Sequence, residues 1–515
     1  MSLVLFALFL GLVTYWVISR SVARMTTVSV WILWLIMMLP ILTFTVWMLV
    51  SGEPPPTPLL YGLMILCSLI LYGTLTTSSL RAKQAAKEDQ AQDARSLADK
   101  TAEKAVNEPA KKKPKPITRE EETLLQRCFP WSIYYLQNIE YLPQAMICKG
   151  KLKSTPAEAY QTVQRNVESK FGDRFLVLFQ ESLNGTPFFA LVPNPQAKNL
   201  VVPDSATPAQ VARLKKLNQK VSARPVLALC LVALTLLTTT YIGGILLGDL
   251  QDPTAWQAAL SREPELLIPG LSYAISLMLI LGVHEMGHYL ATRYHKLKAT
   301  LPYFIPVPFF LGTLGAFIQM RSPMPNRRAL FDIGIAGPLA GLAVSLPILG
   351  WGLAHSTIVP LQEASQLLSF ESLDPSRSII LLLLSKLALG DSLQATSALS
   401  LHPLAVSGGL GLIVTALNLM PVGQLDGGHI VHAMYGQRTA VIVGHVARIL
   451  MLLLAYVYQE FLLWAFLLLF IPAAEPALND VSELNGPRDF LGLFSLVLLV
   501  LIILPAPSAL RGLLF

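Results

Sequence analysis

The sequence predicts a polytopic α-helical membrane protein of about eight to ten spans, with a hairpin that re-enters the membrane and a small α+β soluble domain. Three observations lead there. The 515 residues are 53% hydrophobic and only 14% charged, with mean hydropathy +0.54, and apolar stretches of spanning length recur along the chain. One apolar stretch, 301–320, is too broken by proline and glycine to be a regular helix. One block, 117–222, has instead the mixed composition of a water-soluble module.

Charge and cysteine usage narrow the class. The net charge of +7 is concentrated in a linker and in short loops, where Lys and Arg mark membrane topology. No basic surface interleaved with aromatic residues points to nucleic acid. The four cysteines, Cys67, Cys128, Cys148 and Cys230, include no CxxC pair. Neither a disulfide framework nor a cysteine metal site is indicated.

Residues 1–77 hold three apolar segments, near 3–18, 29–50 and 58–75. The N-terminus lacks the basic n-region of a cleavable signal and the Arg/Ser-rich character of a transit peptide, so it reads as a first span of a bacterial or already processed chain. Arg20 and Arg24 follow that span, which puts the N-terminus outside and the next loop in the cytoplasm. Residues 78–116 form a charged linker rich in Ala, Lys, Glu, Asp and Gln, read as a solvated helix or a disordered connection, with contact of its final KKKPKP run with anionic lipid head groups as the alternative.

Within 117–222, residues 145–152 read as a strand. Thr155, Pro156 and Glu158 form a capping box with proline at the first helical position, and Gly172 stops the helix after Phe171. Strands at 175–179 and 188–192 flank Asn184 and Gly185, predicting a hairpin with a loop longer than two residues. Thr207, Pro208 and Gln210 repeat the capping signature before a Lys-rich helix. The block contains no metal or nucleophile constellation, so its expected role is regulatory or substrate-contacting.

Residues 223–474 make the membrane core, and 475–515 a C-terminal loop and span, the loop at 475–489 carrying no motif. The core is organised around LMLILGVHEMGHYLATRYH, at 277–295. Residues four apart share a helix face, so His284 and His288 can close on one metal ion with Glu285 beside them. That is the spacing of a zinc hydrolase. The alternative is a helix with two satisfied core histidines, but ionisable groups inside a spanning helix are expensive, roughly 2.5–3.5 kcal/mol each. Arg293, Lys296 and Lys298 place the inner end of this helix at the cytoplasmic surface, about 13 Å beyond His284.

In LPYFIPVPFFLGTLGAFIQM, Pro302, Pro306 and Pro308 precede Gly312 and Gly315. Non-helical backbone at membrane depth must be buried in protein or line a wet cavity. A re-entrant hairpin beside the metal fits, with an edge able to take an extended peptide, and an interfacial loop is the alternative. Arg321, Arg327 and Arg328 mark the cytoplasmic side again, and Gly334, Gly337 and Gly341 give the following span a small-residue face for packing.

A second constellation, NLMPVGQLDGGH, groups Asn418, Asp426 and His429 at the inner end of their span. Two helical histidines need a further ligand for a catalytic zinc, and a carboxylate is usual. Asp426 is the candidate, with Pro421, Gly423, Gly427 and Gly428 breaking the helix so that it turns toward the metal; His429 is the substitute. His432 and His445 read as structural, the latter with Arg448 in a polar interior contact.

HEMGH, GTLGA, GIAGP and NLMPVGQLDGG, all between 277 and 432, together resemble the site-2 protease family of intramembrane zinc metalloproteases, in its cyanobacterial and plastid branch. The resemblance implies one Zn2+ per chain held by His284, His288 and Asp426, with Glu285 as general base and Asn418 holding the peptide near the metal. It implies a transmembrane protein substrate met within the lipid bilayer, and no nucleic acid. The implied location is a bacterial plasma membrane or a thylakoid membrane, with the active site and the soluble block facing the cytoplasmic side. No PDZ-like insertion separates the two motif regions, so the 117–222 block stands in its place. A membrane chaperone would not need Glu285; a metal transporter would not need that base either, and the sequence shows no clear inverted repeat.

Overall fold

The computed structural model describes residues 30–51, 119–142, 145–182, 185–194, 225–247, 264–307, 311–360, 378–390, 397–458, 461–469 and 471–514, with single residues 11, 15 and 117. The expected spans near 3–18 and 58–75, the linker 78–116, the capping signature at Thr207 and the acidic loop before Pro264 lie outside them, as does Pro308.

The backbone divides into two compact units, Met1–Pro114 with Arg448–Pro472, and Lys115–Ala447 with Ala473–Phe515. In the first, α1 (Val30–Ser51) is an apolar helix whose Trp34 indole donates to the Gly11 carbonyl at 2.8 Å.

The second unit begins with α2 (Arg119–Arg127), β1 (Tyr134–Leu142), β2 (Ala145–Leu152), α3 (Pro156–Phe171), β3 (Phe175–Glu181) and β4 (Pro187–Pro193). The strands form one antiparallel sheet in the order β1-β2-β4-β3, leaving β3 at an edge. The capping box is in place: Thr155 accepts from the Glu158 backbone N–H, Pro156 opens α3, and Gly172 closes it at φ 61°. Ala159, Tyr160, Val163 and Val167, at helical spacing, bury one face of α3 against the sheet. Phe179 and Phe189 stack in that core with centroids 4.2 Å apart. The hairpin around Gly185 closes with Ser182 N–H donating to the Thr186 carbonyl, a loop longer than two residues.

The membrane core follows: α4 (Pro225–Leu247), α5 (Ile268–Tyr294), β5 (Tyr303–Pro306), β6 (Thr313–Phe317), α6 (Arg327–Ala354), β7 (Thr357–Pro360), α7 (Ile379–Leu389), β8 (Ser397–Ser400), α8 (Pro403–Leu419), α9 (Asp426–Val457), α10 (Leu462–Leu469), α11 (Gly486–Ile503) and α12 (Ser508–Leu514). Among the described residues, α4, α5, α6, α9 and α11 are long and apolar enough to cross a membrane, while α7 and α8 are shorter apolar helices. The protein is membrane-embedded, with a small sheet domain ahead of the core. In the part of α9 that belongs to the first unit, Arg448 donates to the carbonyls of Leu468 and Ile471 at 3.0 and 2.7 Å, capping the C-terminal end of α10.

Helices α5, α6 and α8 pack on one another and α4 lies against α5. Tyr273, Leu277, Leu281, Phe304, Val406 and Leu410 form the core between α5, β5 and α8. The proline- and glycine-rich stretch is a β-hairpin: β5 and β6 pair antiparallel, with Gly312 and Gly315 at positive φ. Thr238 of α4 donates to the Gly312 carbonyl and Tyr273 of α5 to that of Leu311, so the hairpin is held from two helices.

Candidate metal centre

In α5, His284 and His288 stand one turn apart and both are buried, as is Glu285. The His288 Nδ1–H donates to the Ile333 carbonyl of α6 at 2.7 Å, which fixes the tautomer and leaves Nε2 bare. Glu285 follows His284 on the same helix and is buried beside the two imidazoles. Ile333 comes from an element that the histidine motif alone does not reveal.

The second constellation arrives through a turn. Helix α8 carries Asn418 in its last turn and ends at Met420. Val422 N–H donates to Met420 O and Leu425 N–H to Val422 O, with Gly423 at φ 52°, and α9 then starts at Asp426. Pro421 and Gly423 therefore break the chain between helices as expected. Gly427 and Gly428 do something else: they sit inside the first turn of α9, where a Cβ would overlap the backbones of Leu419 and Gly423. Their small size lets α9 fold back tightly on the end of α8.

The two constellations meet. His284 Nε2 and His288 Nε2 lie 3.2 Å apart, and Asp426 Oδ2 is 3.5 Å from the first and 3.2 Å from the second. A tetrahedral zinc with bonds of about 2.0–2.1 Å has ligand atoms roughly 3.3 Å apart, so these three atoms already occupy one face of such a site. Among the described residues, these three form the one group of histidine, cysteine and carboxylate side chains able to hold a metal. Asn418 Nδ2 reaches His284 Nε2 at 3.1 Å, placing the amide at the rim of the same cluster. His429, the substitute ligand, is not in the group, and its Nδ1 is buried without a hydrogen-bond partner among the described residues.

Glycines shape the far wall. On α6, a Cβ at Gly337 would overlap the His288 imidazole, and one at Gly341 would come within 3.0 Å of His284 Nδ1. The small-residue face expected to serve helix packing thus accommodates the metal-facing rings. Arg327, read from the sequence as a mark of the cytoplasmic side, is buried and ion-paired with Asp480, to which His432 is also bound. Asp332 of α6 accepts from Nε and Nη2 of Arg488 of α11, at 2.7 and 2.8 Å, and pairs with His295 at 2.9 Å. No spacing in the sequence announces either network.

Comparison with known proteins agrees with this geometry. The model described as peptidase family M50 matches residues 272–457, and the one described as the EGY3 middle domain matches residues 123–199, the sheet domain. The chain is similar to the probable zinc metalloprotease EGY1, chloroplastic, of Arabidopsis thaliana, 36% identical over 47% of this chain and 45% of the relative. It is also similar to the probable zinc metalloprotease EGY2, chloroplastic, of Arabidopsis thaliana, 28% identical over 76% of this chain and 66% of the relative. The rice (Oryza sativa subsp. indica) EGY2 protein of the same description matches at 27% over 75% and 66%. The chain spans between 45% and 66% of the length of these relatives. Residues 272–457, which match the peptidase family M50 model, contain all three candidate ligands together with Glu285 and Asn418.

Proposed function

We propose that the chain is a zinc-dependent intramembrane protease, hydrolysing a peptide bond in or near a transmembrane segment of a membrane-protein substrate. The observation that carries this reading is the convergence of His284, His288 and Asp426 on one point, with a buried carboxylate, Glu285, on the same helix. On this reading those three residues hold one zinc per chain. The bound ion would acidify a water and polarise the scissile carbonyl.

The remaining work belongs to the side chains. Glu285 accepts the proton of the attacking water and returns it to the leaving amine nitrogen. A helical substrate hides its carbonyls and must unwind before attack. Asn418 and the edge of β6, where Leu314 and Phe317 are exposed, supply the hydrogen bonds and contacts an unwound segment needs.

In the same reading the β5–β6 hairpin is re-entrant and the whole chain has about eight to ten spans. The domain boundaries fall near 77, 116, 222 and 474, and water reaches the metal from the cytoplasmic side, where the sheet domain also lies. The chloroplastic relatives favour a plastid-type membrane, which for a bacterial chain corresponds to the thylakoid or plasma membrane.

The test is cleavage of a panel of single-span membrane peptides by purified protein and by its Glu285→Gln variant, with zinc measured in both. The reading expects cleavage in the first, loss of at least about a hundredfold in the second, and equal zinc. Undiminished cleavage by the variant would refute the assigned base.

A further inference from the structure

The loop at 475–489, which offers no motif in the sequence, contains a segment hydrogen-bonded on two sides. Residues 478–480 run between two other segments, with isolated parallel bridges from Asn479 to Phe179 and to Asn326. On one side Phe179 of β3, the edge strand of the sheet domain, donates to the Leu478 carbonyl, and Asp480 N–H donates back to Phe179 O at 2.9 Å. On the other side Leu478 N–H donates to Met324 O at 2.8 Å and Asn479 N–H to Pro325 O at 3.0 Å. Asn326, next along, caps α6 by accepting from Ala329 N–H. The sheet of the soluble block is thereby continued across residues 478–480 to the start of α6, and Val481 enters the sheet domain's own core.

The side chain of Asp480 turns the opposite way, into the membrane core. Its Oδ1 lies 2.9 Å from His432 Nε2 and 3.3 Å from Arg327 Nε, and its Oδ2 lies 3.1 Å from His432 Nε2. Relative exposures are 6% for Asp480, 7% for Arg327 and 0% for His432. A carboxylate buried so deeply must keep its partners, because leaving either side unpaired costs several kcal/mol. His432 stands six residues after Asp426 on α9, about 9 Å along the axis. Farther along, α9 kinks at Gly436 (φ 84°), where a Cβ would come within 2.7 Å of Arg327 Nη2. The stretch from Asp426 to Gly436 is therefore gripped from one side by the pair Asp480 and Arg327, and the candidate metal ligand is its first residue.

We propose that Asp480 is a positioning residue for the metal centre, and that residues 478–480 are the connector through which the sheet domain fixes the rotation and height of the Asp426 end of α9. The inference rests on the reading of His284, His288 and Asp426 as zinc ligands. It gives the sheet domain a function that its own residues, lacking any catalytic constellation, do not disclose: whatever moves β3 moves Asp480 and hence the third ligand.

The experiment uses the full chain in detergent. Zinc affinity is measured by competition with a chelator for the unaltered protein, Asp480→Ala, Asp480→Asn, Leu478→Pro and Arg488→Ala, alongside thermal unfolding and, on a single-span peptide, kcat and KM. Residues that orient a metal ligand typically contribute 10–100-fold to affinity. Both Asp480 variants are expected to bind zinc about ten to a hundred times more weakly, with kcat reduced and KM held. Leu478→Pro, which removes a backbone donor and no charge, is expected to shift affinity in the same direction by a smaller factor. Arg488→Ala, breaking an ion pair away from α9, is expected to lower the unfolding temperature without shifting zinc affinity. Asp480→Asn, nearly isosteric, carries the test where Asp480→Ala does not fold. Unchanged zinc affinity in both Asp480 variants, with only the unfolding temperature lowered, would overturn the positioning role. Failure of the unaltered protein itself to bind zinc would instead overturn the metalloprotease reading beneath it.

Discussion

Gly337 of α6 faces the imidazole of His288 so closely that any side chain on it would overlap the ring. The pair shows how the candidate metal centre is built: α5 carries the candidate donors, and α6 leaves room for them. With Ile333, one turn earlier on α6, accepting from His288 Nδ1, the same helix both orients the ring and leaves room for it.

Replacement of Gly337 by Ala is accordingly expected to displace His288 and weaken zinc binding by about ten- to a hundredfold. Gly341→Ala should be milder, because its added methyl would meet His284 at 3.0–3.1 Å, a distance a small ring shift can relieve. Chelator competition on the two purified variants checks the order. Equal affinities would show that α6 tolerates a side chain at Gly337.

Asn418 is expected to act on the peptide and not on the metal. Its amide lies 3.1 Å from His284 Nε2 at the rim of the cluster, outside the three-ligand group. Asn418→Ala should lower kcat/KM by about ten- to a hundredfold, the worth of one or two hydrogen bonds to substrate, while zinc content stays unchanged. Steady-state cleavage with metal analysis of the same sample decides it.

The ion pair of Asp332 with Arg488 joins α6 to α11, and His295 at the end of α5 adds a third partner. Asp332→Ala is expected to destabilise the core by about 2–3 kcal/mol. The Asp332→Ala/Arg488→Ala double variant should lose less than the sum of the two single losses, since each single change strands a charge. Denaturant unfolding in detergent measures the cycle.

The sheet domain carries its own pH signature. Cys148 is fully buried in β2, and burial, with Cys128 close by as a lesser cause, pushes its thiol up to about 12. In the unfolded chain the same thiol ionises near its ordinary value of about 9. The folded state thus holds its proton longer, so the stabilisation is complete below pH 9 and falls as pH rises from there toward 12. The expected slope in that window is about 1.4 kcal/mol per pH unit for this thiol, reduced in a Cys148→Ser variant. Alkylation followed by mass spectrometry should find Cys148 unlabelled at pH 8 until the domain is unfolded.

What could be read from the sequence was what local spacing encodes. His284, Glu285 and His288 fall on adjacent helical positions, the capping box at Thr155 is contiguous, and the prolines of 301–320 exclude a helix, so each was visible without tertiary information. Asn418 and Asp426 were visible as a polar interruption in an apolar chain. The burial of Arg327 against Asp480 is not legible in the sequence, because the two lie 153 residues apart and no periodicity links them. Gly427 and Gly428 were read as helix breakers because glycine's conformational freedom and its lack of bulk look identical in a sequence. The structure uses their lack of bulk.

The most direct test of the account is the zinc X-ray absorption spectrum of the purified full chain, compared with that of His288→Ala. The account predicts one zinc per chain with only nitrogen and oxygen neighbours at about 2.0–2.2 Å, the outer scattering of two imidazoles, and loss of one imidazole or of the metal in the variant. A sulfur neighbour at about 2.3 Å, or a spectrum unchanged by His288→Ala, would contradict the assignment of His284, His288 and Asp426.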